Sequence, residues 1–109
     1  MNFKNYTIKS QESIQRAQQI AVGNETQSIE VGHILKAIFE EDENVLPFIF
    51  NKLGINIDII EKALNGIVDN YPKVNGGSPN LSRFSTEALN KASSFAKKMD
   101  DEYVSIEHL

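Results

Sequence analysis

The chain has 109 residues, a formal net charge of −4 and a mean hydropathy of −0.33. That length suits one domain, and a composition that is 40% hydrophobic and 24% charged indicates a folded globular protein rather than a disordered one. The absence of cysteine excludes disulfides and thiolate chemistry. The acidic balance argues against nucleic-acid binding, and no segment has the roughly 20 apolar residues of a membrane span. With no signal-peptide pattern either, we expect a cytoplasmic protein without membrane association.

Gly and Pro residues divide the chain into five segments with helical spacing of apolar residues, and sustained period-two alternation is missing. The sequence therefore predicts an all-α fold. Thr7, Asn56 and Ser82 are the predicted N-caps, and Gly23 and Gly54 are predicted helix stops. The second segment begins at about Glu30. The fourth ends near residues 71–72, and a Pro- and Gly-rich connector follows it.

The inward face of each segment follows from its spacing. The predicted inward positions are Ile14, Ala17, Ile20 and Ala21; Val31, Ile34, Leu35, Ile38 and Phe39; Leu46, Ile49 and Leu53; Ile57, Ile60, Leu64 and Ile67; Ala88, Leu89, Ala92, Phe95, Ala96 and Met99.

The chain contains an internal repeat. An ungapped shift of 75 positions gives identities at Ser10 and Ser85, Glu12 and Glu87, Ala17 and Ala92, Ala21 and Ala96, and His33 and His108. Two of the predicted N-caps, Thr7 and Ser82, are both hydroxyl residues and also align. We therefore predict two pseudo-symmetric helical repeats, the first over about 7–70, a connector over 71–81 and an incomplete second repeat over 82–109.

The second repeat is truncated, because it has no counterparts of residues 35–70. We therefore expect 1–109 to be a fragment of a larger domain. Its exposed core face should be covered by another chain, or the isolated fragment should aggregate.

Five stretches carry a family resemblance: YTIKSQESIQRAQQIA, SIEVGHILKAIFEE, LPFIFNKLGI, PKVNGGSPNLSR and LNKASSFAKKMDDEYVSIEHL. Together they resemble the Clp N-terminal (repeat) domain of the AAA+ chaperones, closest to the ClpB disaggregase branch. One departure matters: the first repeat usually carries Glu before its His, whereas this chain has Gly32.

The resemblance implies a substrate-engaging module that binds exposed apolar segments of unfolded or aggregated polypeptides. It implies a parent protein that is a homohexameric AAA+ ATPase, with ATP and Mg in downstream domains, no cofactor in this fragment, and adaptor or chaperone partners. The alternative is a ClpC/ClpA-type domain that docks adaptors or phosphoarginine-marked substrates, although Gly32 removes one of the two acidic positions that such recognition uses. A third alternative is a free-standing helical scaffold.

The resemblance also implies that Thr7, Asp101 and Glu107 handle substrate. Each has a purely structural alternative: Thr7 as an N-cap, Asp101 as the end of a loop and Glu107 as a carboxylate at a helix N-terminus.

For apolar contact with substrate we predict residues that flank the loop starts of both repeats, namely Ile8, Leu81, Tyr103 and Ile106. The alternative for each is a place in the core.

The remaining patterns predict no catalytic or metal site. Gly76-Gly77 lacks the Lys-Ser/Thr of a phosphate loop, and no nucleophile motif is present. The two histidines, His33 and His108, are better explained by the repeat than by metal ligation, which usually needs three or four ligands. The acidic stretch 40–43 lacks calcium-loop spacing and is interpreted as a solvated helix end.

Overall fold

The computed structural model describes residues 3–73 and 79–109. Its helices are α1 (Ile8–Gly23), α2 (Val31–Glu41), α3 (Val45–Leu53), α4 (Ile57–Asp69) and α5 (Arg83–Lys98), with a 3-10 helix at Ile106–His108. The all-α prediction is confirmed. The sequence did not predict the short parallel ladder of β1 (Ser28–Ile29) with β2 (Asn80–Leu81). The predicted Gly76-Gly77 loop lies outside the described residues.

All three predicted N-caps are confirmed. In each, the side-chain oxygen accepts a hydrogen bond from a backbone N–H two or three residues further on, at 2.9–3.2 Å, and the capping residues are Thr7, Asn56 and Ser82. Gly54 ends α3 in the left-handed conformation, with φ of 70°, which glycine adopts without steric strain. Local hydrogen-bonding chemistry therefore determines where these helices begin and end.

The core lies where α1 packs along α2, with α4 and α5 against α2. Predicted inward residues that are buried include Ile14, Ala17, Ala21, Ile34, Ile38, Leu64, Leu89, Ala92 and Ala96. Four of these residues are alanines, whose small side chains allow the helices to pack closely. Among the described residues, no helix is long and apolar enough to cross a bilayer.

Five predicted inward side chains are instead exposed: Val31, Leu53, Ile67, Phe95 and Met99. The prediction was wrong for them because helical spacing identifies an apolar face without showing whether another element covers it. In α4, Val68 is buried in place of its neighbour Ile67. No side chain of α3 is fully buried, so this helix lies at the edge of the fold.

The two repeats pair with each other reciprocally. The N–H of Thr7 donates to the carbonyl of Val104 at 2.9 Å, and the N–H of Ser82 donates to the carbonyl of Ile29 at 3.0 Å. The 75-residue shift exchanges these two pairs. Both contacts belong to parallel pairings, the bridge of Tyr6 with Val104 and the β1–β2 ladder. Each repeat therefore holds the start of the other's first helix, which is a pseudo-twofold arrangement.

The turns after α1 and α5 are equivalent as well. Glu25 and Asp100, which the shift aligns, are left-handed with φ of 55° and 56°. In each turn the next residue donates its N–H to an alanine carbonyl in the preceding helix, at 3.0 Å after α1 and 2.8 Å after α5. The internal repeat in the sequence thus recurs as a repeat of backbone geometry.

Candidate functional site

A surface groove lies where the segment leading into α1 meets the loop after α5. Its volume is about 380 Å³, and we call it the N-terminal groove; it is lined by Lys4, Tyr6, Thr7, Ile8, Gln11 and Tyr103. The groove exists because Tyr6 pairs with Val104, which brings opposite ends of the chain side by side.

The floor of the N-terminal groove is fixed while its rim is exposed. Tyr6 is 4% exposed, and its hydroxyl donates to the carbonyl of Leu89 at 3.0 Å. The side-chain amide of Gln11 donates to the carbonyl of Tyr6 at 2.9 Å and holds the segment that leads into α1 in place. Ile8 and Tyr103 are 74% and 51% exposed. Two apolar side chains therefore stand in solvent on a rigid support, an arrangement suited to contacting an apolar ligand.

Three predicted substrate-binding residues, Thr7, Ile8 and Tyr103, come together in this groove. Thr7 has two roles in the structure: its hydroxyl caps α1, and the residue also lines the groove. The structural alternative for Thr7 is therefore compatible with the functional one.

Asp101 lies in the loop that carries Tyr103. Its carboxylate is 2.8 Å from Nε2 of His108. Nδ1 of His108 accepts a hydrogen bond from the N–H of Ser105 at 2.9 Å. The neutral ring therefore carries its proton on Nε2, and this N–H donates a hydrogen bond to the Asp101 carboxylate. Asp101 also closes the end of α5 through its own N–H, which donates to the carbonyl of Ala96. Asp101 thus holds the loop after α5 against the 3-10 helix.

The other predicted residues lie apart from the N-terminal groove. Leu81 is half-buried in β2, packed against the core, and Ile106 is 6% exposed within it. Glu107 is exposed, and it lines a second groove.

This second groove, which we call the α3 groove, lies between α3 and the 3-10 helix. It has a volume of about 510 Å³ and is lined by Asn44, Val45, Phe48, Ile49 and Glu107. Sequence reasoning missed the four α3-side residues, and it also missed Lys4, Tyr6 and Gln11 of the N-terminal groove. Phe48 is 64% exposed. It could have been predicted as a groove residue only if the outer face of α3 had been recognised as uncovered.

The start of α3 is held by Asp42, which is 8% exposed. Its carboxylate accepts backbone N–H groups of Asn44, Val45 and Leu46 at 3.2, 3.0 and 2.7 Å. Burial acts to raise the pKa of Asp42, but these three donors and the positive charge of Lys9 together outweigh it and hold the pKa below its usual value. The interpretation of 40–43 as a solvated helix end was therefore wrong for Asp42, which is a buried helix cap.

The two histidines begin the two equivalent helices. Nδ1 of His33 accepts the N–H of Glu30 at 2.9 Å, the same bond that His108 makes with Ser105. Burial lowers the pKa of His33, since a charged ring would lose its water there. The two rings thus serve helix starts, as the repeat suggests. No group of three metal-ligating side chains is found within residues 3–73 and 79–109.

Gly32 is packed against Tyr71. The N–H of Gly32 donates to the Tyr71 hydroxyl at 3.2 Å, and a Cβ at position 32 would lie 2.5 Å from that oxygen. The Tyr71 ring also lies against His33, with centroids 4.9 Å apart. Tyr71 thus fills the space that an acidic side chain at position 32 would need, whereas the equivalent position, Glu107, is open to solvent.

Fold and groove together define a two-repeat helical domain with an apolar surface site at the junction of its repeats. The family model described as the Clp repeat (R) N-terminal domain matches residues 5–109. The chain belongs to this family.

Similar proteins agree with this assignment. The chain is 46% identical over 109 residues to a chaperone protein ClpB of Bacteroides thetaiotaomicron, covering 100% of this chain and 13% of that protein. The Hsp104 N-terminal domain of Candida albicans has a TM-score of 0.87 at 19% identity, over 96% of this chain and 70% of its own. The N-terminal domain of the ClpV1 ATPase of E. coli has a TM-score of 0.90 at 20% identity, over 97% and 65%. This sequence thus spans about one-eighth of the ClpB relative.

Proposed function

We propose that this chain is the substrate-engaging N-terminal module of an ATP-dependent disaggregase of the ClpB type, and that it binds exposed apolar segments of unfolded or aggregated polypeptides in the N-terminal groove. The observation that carries the proposal is the pair of exposed apolar side chains, Ile8 and Tyr103, that line the same groove as the buried Tyr6. Hydrogen bonds to Leu89 and from Gln11 fix this floor before any ligand arrives, so binding loses little conformational entropy.

The small size of the groove favours weak and rapidly reversible binding. A volume of about 380 Å³ lies near the lower end of the range for ligand pockets, roughly 300–1,000 Å³. In a homohexamer, six linked modules would retain a client by avidity while single contacts break quickly. Release toward an ATPase motor then requires no strong bond to be broken.

Under this proposal the module itself is not catalytic. ATP hydrolysis with Mg belongs to the rest of the protein, which acts in the cytoplasm. Adaptors or other chaperones deliver clients to the module. Asp101 acts on substrate by positioning the loop that carries Tyr103, through its bond with His108.

Binding of a permanently unfolded model protein, made by reduction and carboxymethylation, tests the proposal. We expect Ile8→Ala and Tyr103→Ala each to weaken binding about three- to tenfold, in line with losing one apolar contact. Both side chains are exposed, so the fold should be unaffected. Ile67→Ala, which removes an exposed apolar side chain on α4, is the matched control.

Two results would contradict the proposal. One is equal binding by all four proteins. The other is preference for free phosphoarginine over the unfolded protein, which would favour the ClpC-type alternative in spite of Gly32 and Tyr71.

A further inference from the structure

The outer face of α4 carries apolar side chains that stand in solvent. Two isoleucines of this face are 65% and 55% exposed, a third just before the helix is 40% exposed, and the alanine between the first two is also exposed. We call this set the α4 stripe; it consists of Ile55, Ile59, Ala63 and Ile67. The buried residues of α4, Leu64 and Val68, lie on a different side of the helix, which packs against α2.

The spacing and the small residues of the α4 stripe suit a second helix. Residues four apart form a continuous ridge along a helix, and such ridges pack into the grooves of a facing helix. Gly66 lies beside the ridge, and a Cβ at this position would meet no atom within 4 Å. Gly66 and Ala63 therefore leave room for another backbone to approach closely.

The α4 stripe is complementary in shape to itself when two copies run antiparallel. If Ile59 of one copy faces Ala63 of the other, a large side chain meets a small one twice, once in each direction. The same register places Ile55 opposite Ile67 of the second copy. Large and small side chains thus alternate across the contact, which lets the two faces interdigitate.

The charges beside the α4 stripe fit the same arrangement. Asp58 and Lys62 are exposed one turn apart on one flank, and neither makes an ion pair within the described part of the chain. In the antiparallel register, Lys62 faces Ile60 of the second copy, two residues from Asp58, or about 3 Å along the helix. Parallel helices would instead place like charges side by side, so the charges select the antiparallel pair.

We propose that the α4 stripe binds a second copy of this chain, with the two α4 helices antiparallel and Asp58 of each copy paired with Lys62 of the other. One helix face per copy forms less than the roughly 1,600 Å² of a standard interface, so we expect a weak dimer with a Kd of about 0.1–0.5 mM. The inference does not depend on client binding. In the homohexamer of the proposed function, linked modules have a high effective concentration, so weak pairing suffices.

Sedimentation equilibrium of the whole chain, from about 20 μM to about 1 mM, tests the apolar contact. We expect Ile59→Glu to weaken self-association at least about tenfold, because a carboxylate then enters the apolar contact twice. Ile59→Ala should weaken it about three- to tenfold. Val22→Glu, which changes an exposed apolar residue near the end of α1, is the matched control and should associate like the wild type. Circular dichroism checks that each variant retains its helices.

A charge exchange tests the antiparallel register. Asp58→Lys and Lys62→Asp should each weaken self-association about two- to tenfold, since each replaces two attractive pairs with repulsive ones. An equimolar mixture of the two variants should associate like the wild type, because unlike charges then meet at both pairs. High salt should reduce these differences. A mixture that associates no better than its components would overturn the inference.

Three further results would also overturn it. The first is a wild-type chain that stays monomeric over the whole concentration range. The second is self-association that is lost in Phe95→Glu and kept in Ile59→Glu, which would assign the contact to α5. The third is loss of carboxymethylated client binding in Ile59→Glu, which would make the α4 stripe a client surface. The proposed function fails separately, when Ile8→Ala and Tyr103→Ala bind client as well as the wild type does.

Discussion

The two repeats have nearly the same local structure and very different surroundings. Ile20 and Phe95 occupy equivalent positions one turn before the end of α1 and α5, yet Ile20 is 9% exposed and Phe95 is 51% exposed. Ile20 belongs to the buried core in which α1 packs against α2. Beside α5, the described residues contain only the 3-10 helix Ile106–His108 at the position equivalent to α2. Repeated sequence thus reproduces caps and turns, while burial depends on the neighbouring element.

The histidines sharpen the same comparison. His33 and His108 both accept a backbone N–H at Nδ1, but only the second is paired with a carboxylate at Nε2. In the first repeat, Thr26 stands at the position equivalent to Asp101, and Nε2 of His33 has no hydrogen-bond partner among the described residues. The exchange of Thr26 for Asp101 between the repeats therefore gives the second ring a carboxylate partner that the first ring lacks.

The largest expected effect is a difference in stability loss between alanine substitutions at the equivalent positions Ile20 and Phe95. We expect Ile20→Ala to lower the free energy of unfolding by about 2–4 kcal/mol, because it leaves a cavity between α1 and α2. Phe95→Ala should cost less than about 1 kcal/mol, because half of its surface is already in water. Urea unfolding of the two variants measures both. Equal losses would show that Phe95 is covered in solution.

Asp42→Ala should cost about 2–3 kcal/mol, since a carboxylate that accepts three backbone N–H groups is lost. The pKa of Asp42 is below its usual value in the folded chain, so its stabilisation is present above about pH 4 and is lost as pH falls through the folded pKa. Chemical denaturation at neutral pH and near pH 3 checks this. Exposed Glu43→Ala is the neighbouring control, and a loss as large in that variant would contradict the assignment.

His33 should make stability depend on pH near neutrality. Its pKa is lowered in the fold, so the unfolded chain takes up the proton more readily. Stability should be full above about pH 6.5, the ordinary imidazole value, and fall below it. We expect His33→Gln, whose amide oxygen can still accept the N–H of Glu30, to flatten the change between pH 7 and 5. Asn65→Ala, exposed on α4, should keep the wild-type slope. An unchanged slope in His33→Gln would exclude this role.

The smallest effects concern the equivalent caps. Thr7→Ala and Ser82→Ala should each lower stability by about 1 kcal/mol, because each removes the acceptor for one helix-starting N–H. Thr7→Ser retains the hydroxyl and should restore stability. Thermal unfolding is sensitive enough for a domain of this size. A cost for one cap without the other would break the equivalence of the repeats.

The helix starts and the repeat could be predicted because they depend on local chemistry. Thr7, Asn56 and Ser82 cap their helices through side-chain oxygens close in sequence to the N–H groups that they bind. The identity of His33 and His108 under one shift likewise anticipated their equivalent bonds.

The two grooves, and the solvent exposure of several side chains that were predicted to face inward, could not be predicted in this way. The N-terminal groove requires Tyr6 to meet Val104, almost a whole chain length away. Exposure of Phe95 depends on what lies beside α5. Asp42 was predicted to be solvated because it lies in a run of acidic residues. Its bonds to the N–H groups at the start of α3 depend on how the chain turns between α2 and α3. Each failure concerns contacts between elements, which periodicity within one element does not report.

The most direct test of the account is a residue-level map of client contact. An unfolded, carboxymethylated model protein is added to the isotopically labelled chain, and backbone amide signals are followed by NMR. The account predicts that the signals of Thr7, Ile8 and Tyr103 move first and saturate together. Movement confined to the exposed α4 face around Ile59 and Ile67, with the N-terminal groove unchanged, would contradict it.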